Sequence, residues 1–205
     1  YKGMKLSELW EKHPELFGDT GMDRFPLLVK IIDAKDDLSI QVHPDDAYAK
    51  AHENGSLGKT ECWFILDCKE NATLVVGHNA KTKEELEQMI HEGRWKEFIR
   101  EIPIKPGDFI QIDPGTVHAI KGGTLLLETQ QSSDITYRVY DYDRLSNGKP
   151  RQLHIVQSID VITVPAKSAD NSVVHIEKKD DAIQQLIQCP YYTVYRIDVE
   201  HRVET

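Results

Sequence analysis

From Phe25 onward the chain breaks into short runs in which apolar and polar residues alternate, the period-two pattern of strands with one buried face. Such runs lie at Phe25–Asp33, Leu38–Val42, Glu61–Leu66 and Ala72–Val76, then at Phe109–Asp113, Thr124–Thr129 and Thr136–Tyr140. Turn sequences divide them: Pro44-Asp45-Asp46, Lys105-Pro106-Gly107-Asp108, Asp113-Pro114-Gly115 and Lys121-Gly122-Gly123. Short strands at this spacing predict a mainly β sandwich or barrel. In the gap after Val76 the period changes. Thr82 and Glu85 form a capping-box pattern, Leu86, Met89 and Ile90 share a face, and Gly93 is placed to end the helix. Trp95, Phe98 and Ile99 repeat the spacing and predict a second short helix, giving a small helical insertion at about 81–100. This aromatic and Met stripe reads as packing against the barrel. A short helix is also predicted around Lys5–Glu11, and another within residues 145–165. Weaker strand patterns fall at Val173–Glu177 and Tyr192–Val199.

Composition narrows the class. A chain of 205 residues can bury a sizeable core without covalent staples. The net charge of −9 argues against binding to nucleic acid or to an anionic membrane, so an anionic ligand would need a local patch of Lys and Arg. No apolar run approaches the roughly 20 residues that span a bilayer. Cys62, Cys68 and Cys189 are odd in number and show no CxxC spacing. They read as small apolar residues in a reducing, cytoplasmic compartment. The chain begins at Tyr1 rather than Met and reads as a portion of a longer one.

The chemistry concentrates in three stretches. In Gln41-Val42-His43-Pro44, strand alternation puts Ser39, Gln41 and His43 on one face and Ile40 and Val42 on the other. That polar row suits either a hydrophilic barrel lumen or a solvent-facing edge. Eighteen residues after His43, Glu61 sits in Gly58-Lys59-Thr60-Glu61-Cys62-Trp63 and shares a face with Lys59 and Trp63. A carboxylate beside Cys-Trp-Phe-Ile costs several kcal/mol to bury without a cation. Either a metal or a salt bridge from Lys59 would remove that cost. His118 follows the turn Pro114-Gly115-Thr116, which can aim it into a barrel mouth, although a purely structural histidine fits there as well. Two imidazoles, a carboxylate and an amide oxygen suit a divalent transition metal, zinc first, with one position open. Arg138 lies inside a predicted strand and would support an oxyanion or phosphate, or pair with Glu128 or Asp134.

Taken together, Gln41-Val42-His43-Pro44-Asp45-Asp46, Gly58 to Trp63, Pro114 to Ala119 and the run from Leu127 to Tyr140 resemble the type I mannose-6-phosphate isomerases, in their short bacterial form. The likeness runs in order through about residues 1–165. It implies a cupin-like jelly-roll barrel holding Zn2+, with metal ligands at Gln41, His43, Glu61 and His118. It also implies an active-site arginine at Arg138 and the lysine of the glutamate motif at Lys59. Residues 1–165 then form the catalytic barrel, and 166–205 open a smaller C-terminal β lobe that is cut short at Thr205. The implied reaction interconverts mannose 6-phosphate and fructose 6-phosphate through a cis-enediol, so the expected partner is a phosphosugar. One group must take and return a proton on one face; Lys59 and Glu128 are the candidates. Ser39 and Arg144 are possible phosphate contacts. Two other classes use a similar ligand set: an Fe(II) cupin oxygenase and a non-catalytic sugar-binding cupin. The oligomeric state is not legible in the sequence.

Overall fold

The computed structural model describes residues 1–18, 20–169 and 173–201. After a helix α1 (Leu6–Lys12), the strands run in the order β1 (Leu27–Ala34), β2 (Ile40–Val42), β3 (Glu61–Cys68) and β4 (Thr73–His78). Then come β5 (Ile99–Pro103), β6 (Asp108–Ile112), β7 (His118–Ala119), β8 (Thr124–Gln131) and β9 (Tyr137–Tyr140). Later strands are β10 (Leu145–Ser146), β11 (Lys149–Pro150), β12 (Val173–His175), β13 (Ala182–Gln188) and β14 (Thr193–Asp198). Helices α2 (Asp46–His52), α3 (Lys83–His91), α4 (Trp95–Phe98) and α5 (Ile155–Val161) sit between them.

Two antiparallel five-stranded sheets face one another, in the orders β1-β8-β3-β6-β12 and β5-β4-β7-β2-β9. This is the mainly β, cupin-like jelly roll with a small helical insertion. Strand alternation explains its layers. Trp63, Ile65, Ile110 and Leu126 of the first sheet meet Leu74, Val76 and Ile102 of the second to make the inner core. The alternate residues of the second sheet, Ile40, Val42, Val75 and Val139, point outward and are covered by Leu86, Met89, Phe98 and Ile159 of the helices. The outer face of the first sheet carries Cys62, Phe64 and Phe109 under Leu186, Ile187 and Val194 of the β13–β14 hairpin. All three cysteines are free thiols, and Cys62 is buried.

The insertion follows its capping sequence: the Thr82 hydroxyl accepts from the Glu85 N–H, and Gly93 takes a left-handed φ of +66° just past the helix. Several elements depart from the pattern. Ile99, expected in a helix, opens β5, because α4 lasts only four residues before the chain turns to pair with β4. The predicted turn at Pro44-Asp45-Asp46 becomes the start of α2, with Asp45 capping the Tyr48 N–H. His118, placed in sequence at the exit of a turn, lies on the two-residue β7, held between β4 and β2. Strand β13, with its polar alternation, carries no clear sequence signal.

Asp141 closes the end of the second sheet. Its buried carboxylate accepts from Arg151 Nε at 2.7 Å, Arg151 Nη2 at 2.5 Å and Arg144 Nη2 at 2.6 Å, beside the β10–β11 hairpin. The bonds from Arg151 and Arg144 outweigh burial and hold its pKa at about 2, below the 3.8 of a free aspartate. A depressed folded pKa contributes stability that is complete above about pH 4 and is lost as pH falls toward 2. Because both arginines keep some contact with water, Asp141→Asn should cost about 1–2 kcal/mol at pH 7. Urea denaturation at pH 7 and pH 2.5 checks this: the gap between variant and parent should narrow at the lower pH.

Candidate metal centre

Backbone contacts bring the three sequence motifs together. The segment before β3 lies against the segment after β2, with Lys59 N–H donating to Pro44 O at 3.0 Å and Gly58 N–H donating to Asp46 Oδ1 at 2.7 Å. Only a glycine fits at position 58, since a Cβ there would sit 2.3 Å from the Asp45 carbonyl carbon. Register does the rest. Gln41 of β2 pairs with His118 of β7 on one side and Arg138 of β9 on the other, and alternation continues the inward face to His43. Glu61, first residue of β3, faces them from the opposite sheet.

The result is a compact cluster. His43 Nε2 is 3.4 Å from Glu61 Oε2 and His118 Nε2 is 3.4 Å from Glu61 Oε1. One ligand atom from each of His43, Glu61 and His118 lies within 4.8 Å of the other two. All three side chains are at most 1% exposed. Gln41 Nε2 is 3.1 Å from His118 Nε2. His118 Nδ1 lies 2.8 Å from Thr116 O. A carbonyl only accepts, so Nδ1 carries the proton and Nε2 presents its lone pair to the cluster. A half-turn of the Gln41 amide brings its oxygen to the same point. Burial pushes His43 down to about 3 and lowers His118 as well, so both rings are neutral at pH 7. Burial opposes ionisation of Glu61, yet the carboxyl is held below its ordinary range; with both rings neutral, the positive charge beside it is that of Lys59, 3.0 Å from Oε2.

Neutral rings around an ionised carboxylate are the protonation states that a metal requires. Both ring nitrogens of His43 and both oxygens of Glu61 lack a hydrogen bond of acceptable geometry. Buried polar atoms left this way cost about 1–3 kcal/mol each. The Lys59 salt bridge weighed as an alternative does form, at 3.0 Å from Glu61 Oε2. It leaves the His43 nitrogens and Glu61 Oε1 without partners, and a cation between the side chains would satisfy His43 Nε2 and Glu61 Oε1. Two imidazoles, a carboxylate and an amide fit a divalent ion of zinc type.

Beyond the cluster, Arg138 donates from Nη1 to Gln152 O at 2.9 Å and from Nε to Ser39 Oγ at 3.3 Å. Neither Glu128 nor Asp134 is its ion-pair partner. Glu128 faces inward from β8, accepting from Lys30 Nζ at 2.9 Å and from the Trp63 indole N–H at 3.1 Å. Lys30 also reaches Gln130 Oε1 at 2.5 Å. Sequence reading passed over Lys30. Its signal was a lone charge in Leu28-Val29-Lys30-Ile31-Ile32, on the face shared by Leu28 and Ile32. Arg144, considered for a phosphate, is instead tied to Asp141 and to the Asp37 carbonyl at 2.5 Å. Its donors are occupied because it locks the turn after β9.

The chain is similar to several known proteins. Residues 1–64 match the family described as phosphomannose isomerase type I, catalytic domain. Mannose-6-phosphate isomerase ManA of Bacillus subtilis is 56% identical over 195 residues, covering 95% of this chain and 62% of that protein. Mannose-6-phosphate isomerase of Streptococcus mutans is 50% identical over 205 residues, covering 100% of this chain and 64% of that protein. The crystal structure of mannose 6-phosphate isomerase from Bacillus subtilis superposes with a TM-score of 0.82 at 51% identity, over 95% of this chain and 62% of that one. The chain therefore spans less than two thirds of the length of these relatives. Among the described residues no helix is long and apolar enough to cross a membrane.

If the cluster holds a metal, Glu61→Gln and His43→Ala should each reduce bound metal from about one equivalent to well below half. Elemental analysis after dialysis reads this directly, and stoichiometric metal in both variants would remove these residues from the centre.

Proposed function

We propose that this chain, by sequence a relative of the type I phosphomannose isomerases, holds zinc and interconverts mannose 6-phosphate and fructose 6-phosphate. One observation carries the reading: three buried ligand atoms within 4.8 Å of one another, of which those of His43 and Glu61 make no hydrogen bond of acceptable geometry. The names borne by the relatives supply the substrate. In this reading residues 1–165 are the catalytic barrel and 166–205 open a C-terminal β lobe. Three unbridged cysteines and an acidic net charge suit a cytoplasmic enzyme without nucleic-acid partners.

Gln41, His43, Glu61 and His118 hold the ion. When bound, it supplies Lewis acidity where negative charge develops on the sugar oxygens. The protein's own residues do the remainder. Aldose–ketose exchange removes a proton from C2 of the aldose, or C1 of the ketose, and returns it to the neighbouring carbon through a cis-enediol. Arg138, fixed by Ser39 and the Gln152 carbonyl, retains guanidinium donors to direct at the oxyanion. Lys59 and Glu128 are the candidates for the proton. Lys59 lies beside Glu61 at 3.0 Å, whereas Glu128 is held by Lys30 and Trp63. That anchoring suits Glu128 to keep Lys30 in place, and it leaves Lys59 as the better-placed proton carrier.

The test is a coupled assay of mannose 6-phosphate conversion, with chelation and zinc add-back and with oxygen uptake followed in parallel. Activity should be lost on chelation and restored by zinc, with no oxygen consumed; oxygen uptake would assign the chain to the oxygenase class. Arg138→Ala should lower kcat by about 100-fold or more with KM changed only a few-fold, the signature of a group acting in the transition state. A loss confined to KM would assign Arg138 to binding alone.

A further inference from the structure

The ladder of β3 begins at Glu61, yet the three residues before it, Gly58, Lys59 and Thr60, are already buried. Backbone N–H groups taken from water outside a sheet need other partners. Each of these has one. Gly58 N–H donates to Asp46 Oδ1 at 2.7 Å, Lys59 N–H to Pro44 O at 3.0 Å and Thr60 N–H to Gln131 Oε1 at 2.8 Å.

Two of the three acceptors are side chains, and those two are bonded to each other. Gln131 Nε2 donates to Asp46 Oδ1 at 3.1 Å. That bond decides which end of the Gln131 amide faces Thr60: with the nitrogen turned to the carboxylate, the oxygen is turned to the Thr60 N–H. Gln131 is 3% exposed, and its own main chain is fixed by donation to Thr60 O at 3.0 Å. Asp46 is held from the far side, since its Oδ2 accepts from the hydroxyl of Tyr191, in the turn of the β13–β14 hairpin, at 2.8 Å.

The stretch so gripped leads straight into the cluster. It carries Lys59, whose Nζ stands 3.0 Å from Glu61 Oε2, and its next residue is Glu61 itself. We propose that Asp46 and Gln131 are positioning residues of the metal centre, which through one shared hydrogen bond fix the main chain of residues 58–60 and so the aim of Lys59 and Glu61. This role presupposes that the cluster holds a metal.

Asp46 is also the first residue of α2, where a negative charge favours the helix end. Asp46→Asn separates the two contributions. The amide oxygen still accepts from Gly58 and Gln131, and the amide nitrogen can donate to the Tyr191 oxygen, while the charge is gone.

Zinc affinity is measured by competition with a chromophoric chelator for the parent, Asp46→Ala, Asp46→Asn, Gln131→Met and the double variant Asp46→Ala/Gln131→Met. Urea midpoints and the NMR signals of the Lys59 and Thr60 amides are recorded alongside. Asp46→Ala and Gln131→Met should each bind zinc about tenfold more weakly or worse, the effect typical of removing a support behind a metal ligand, and should shift both amides. The double variant should lose less than the product of the single losses, because each removes the shared bond. Asp46→Asn should bind zinc nearly as the parent does. Should Asp46→Ala fail to fold, Gln131→Met and Asp46→Asn decide the matter. Parent-like zinc affinity in folded Asp46→Ala or Gln131→Met, whatever happens to the urea midpoint, or an equal loss in Asp46→Asn, would overturn the role. A parent that binds no zinc would instead remove the metal reading, and this role with it.

Discussion

A fully buried carboxylate sets the terms for this protein. Glu61 has no exposed surface, begins a strand whose following residues are apolar, and is surrounded by two neutral imidazoles and one lysine. Left without a cation, such a group is among the most costly things a core can contain. The surrounding architecture makes that cost tolerable only at one end of the sandwich. The inner core is apolar from Trp63 through Ile65 and Leu126, while Glu61, Glu128, Gln130 and Lys30 gather at the polar end. Strand alternation generates both regions from the same inward face, so chemistry and core are different stretches of one surface.

Gln41, His43 and Glu61 of the cluster were legible because each broke a local rule, whereas His118 stood out only through the turn before it and the family resemblance. Gln41 and His43 were polar on an otherwise apolar strand, and Glu61 was a charge among Cys, Trp and Phe. The same rule applied to Lys30 would have found its contact with Glu128. It was overlooked because one lysine in a long apolar run is commonly an edge-strand residue. The roles of Arg138 and Arg144 could not be separated in sequence, since both are strand-adjacent arginines near acids. Only the fold shows that Asp141 takes Arg144 and Arg151 and leaves Arg138 without an acidic partner.

Elements were legible where their signals were local. The Thr82 cap and Gly93 stop mark α3 closely, and most strands lie within a few residues of their alternating runs. Strands β5 and β7 were not legible, because each exists through its partners. Ile99–Pro103 follows directly on a helix, and the two residues of β7 have too little length for any period to show. Yet β7 delivers His118, so a strand of only two residues carries one of the members of the cluster.

Gly58 has a wider meaning for how the site comes into being. Because the chain segments bearing His43 and Glu61 are seated on each other by main-chain contact, their spacing is fixed by the mould of the polypeptide and not by the ion. A metal held there would then require no ordering of a loop, in contrast to small domains whose metal site forms only on folding.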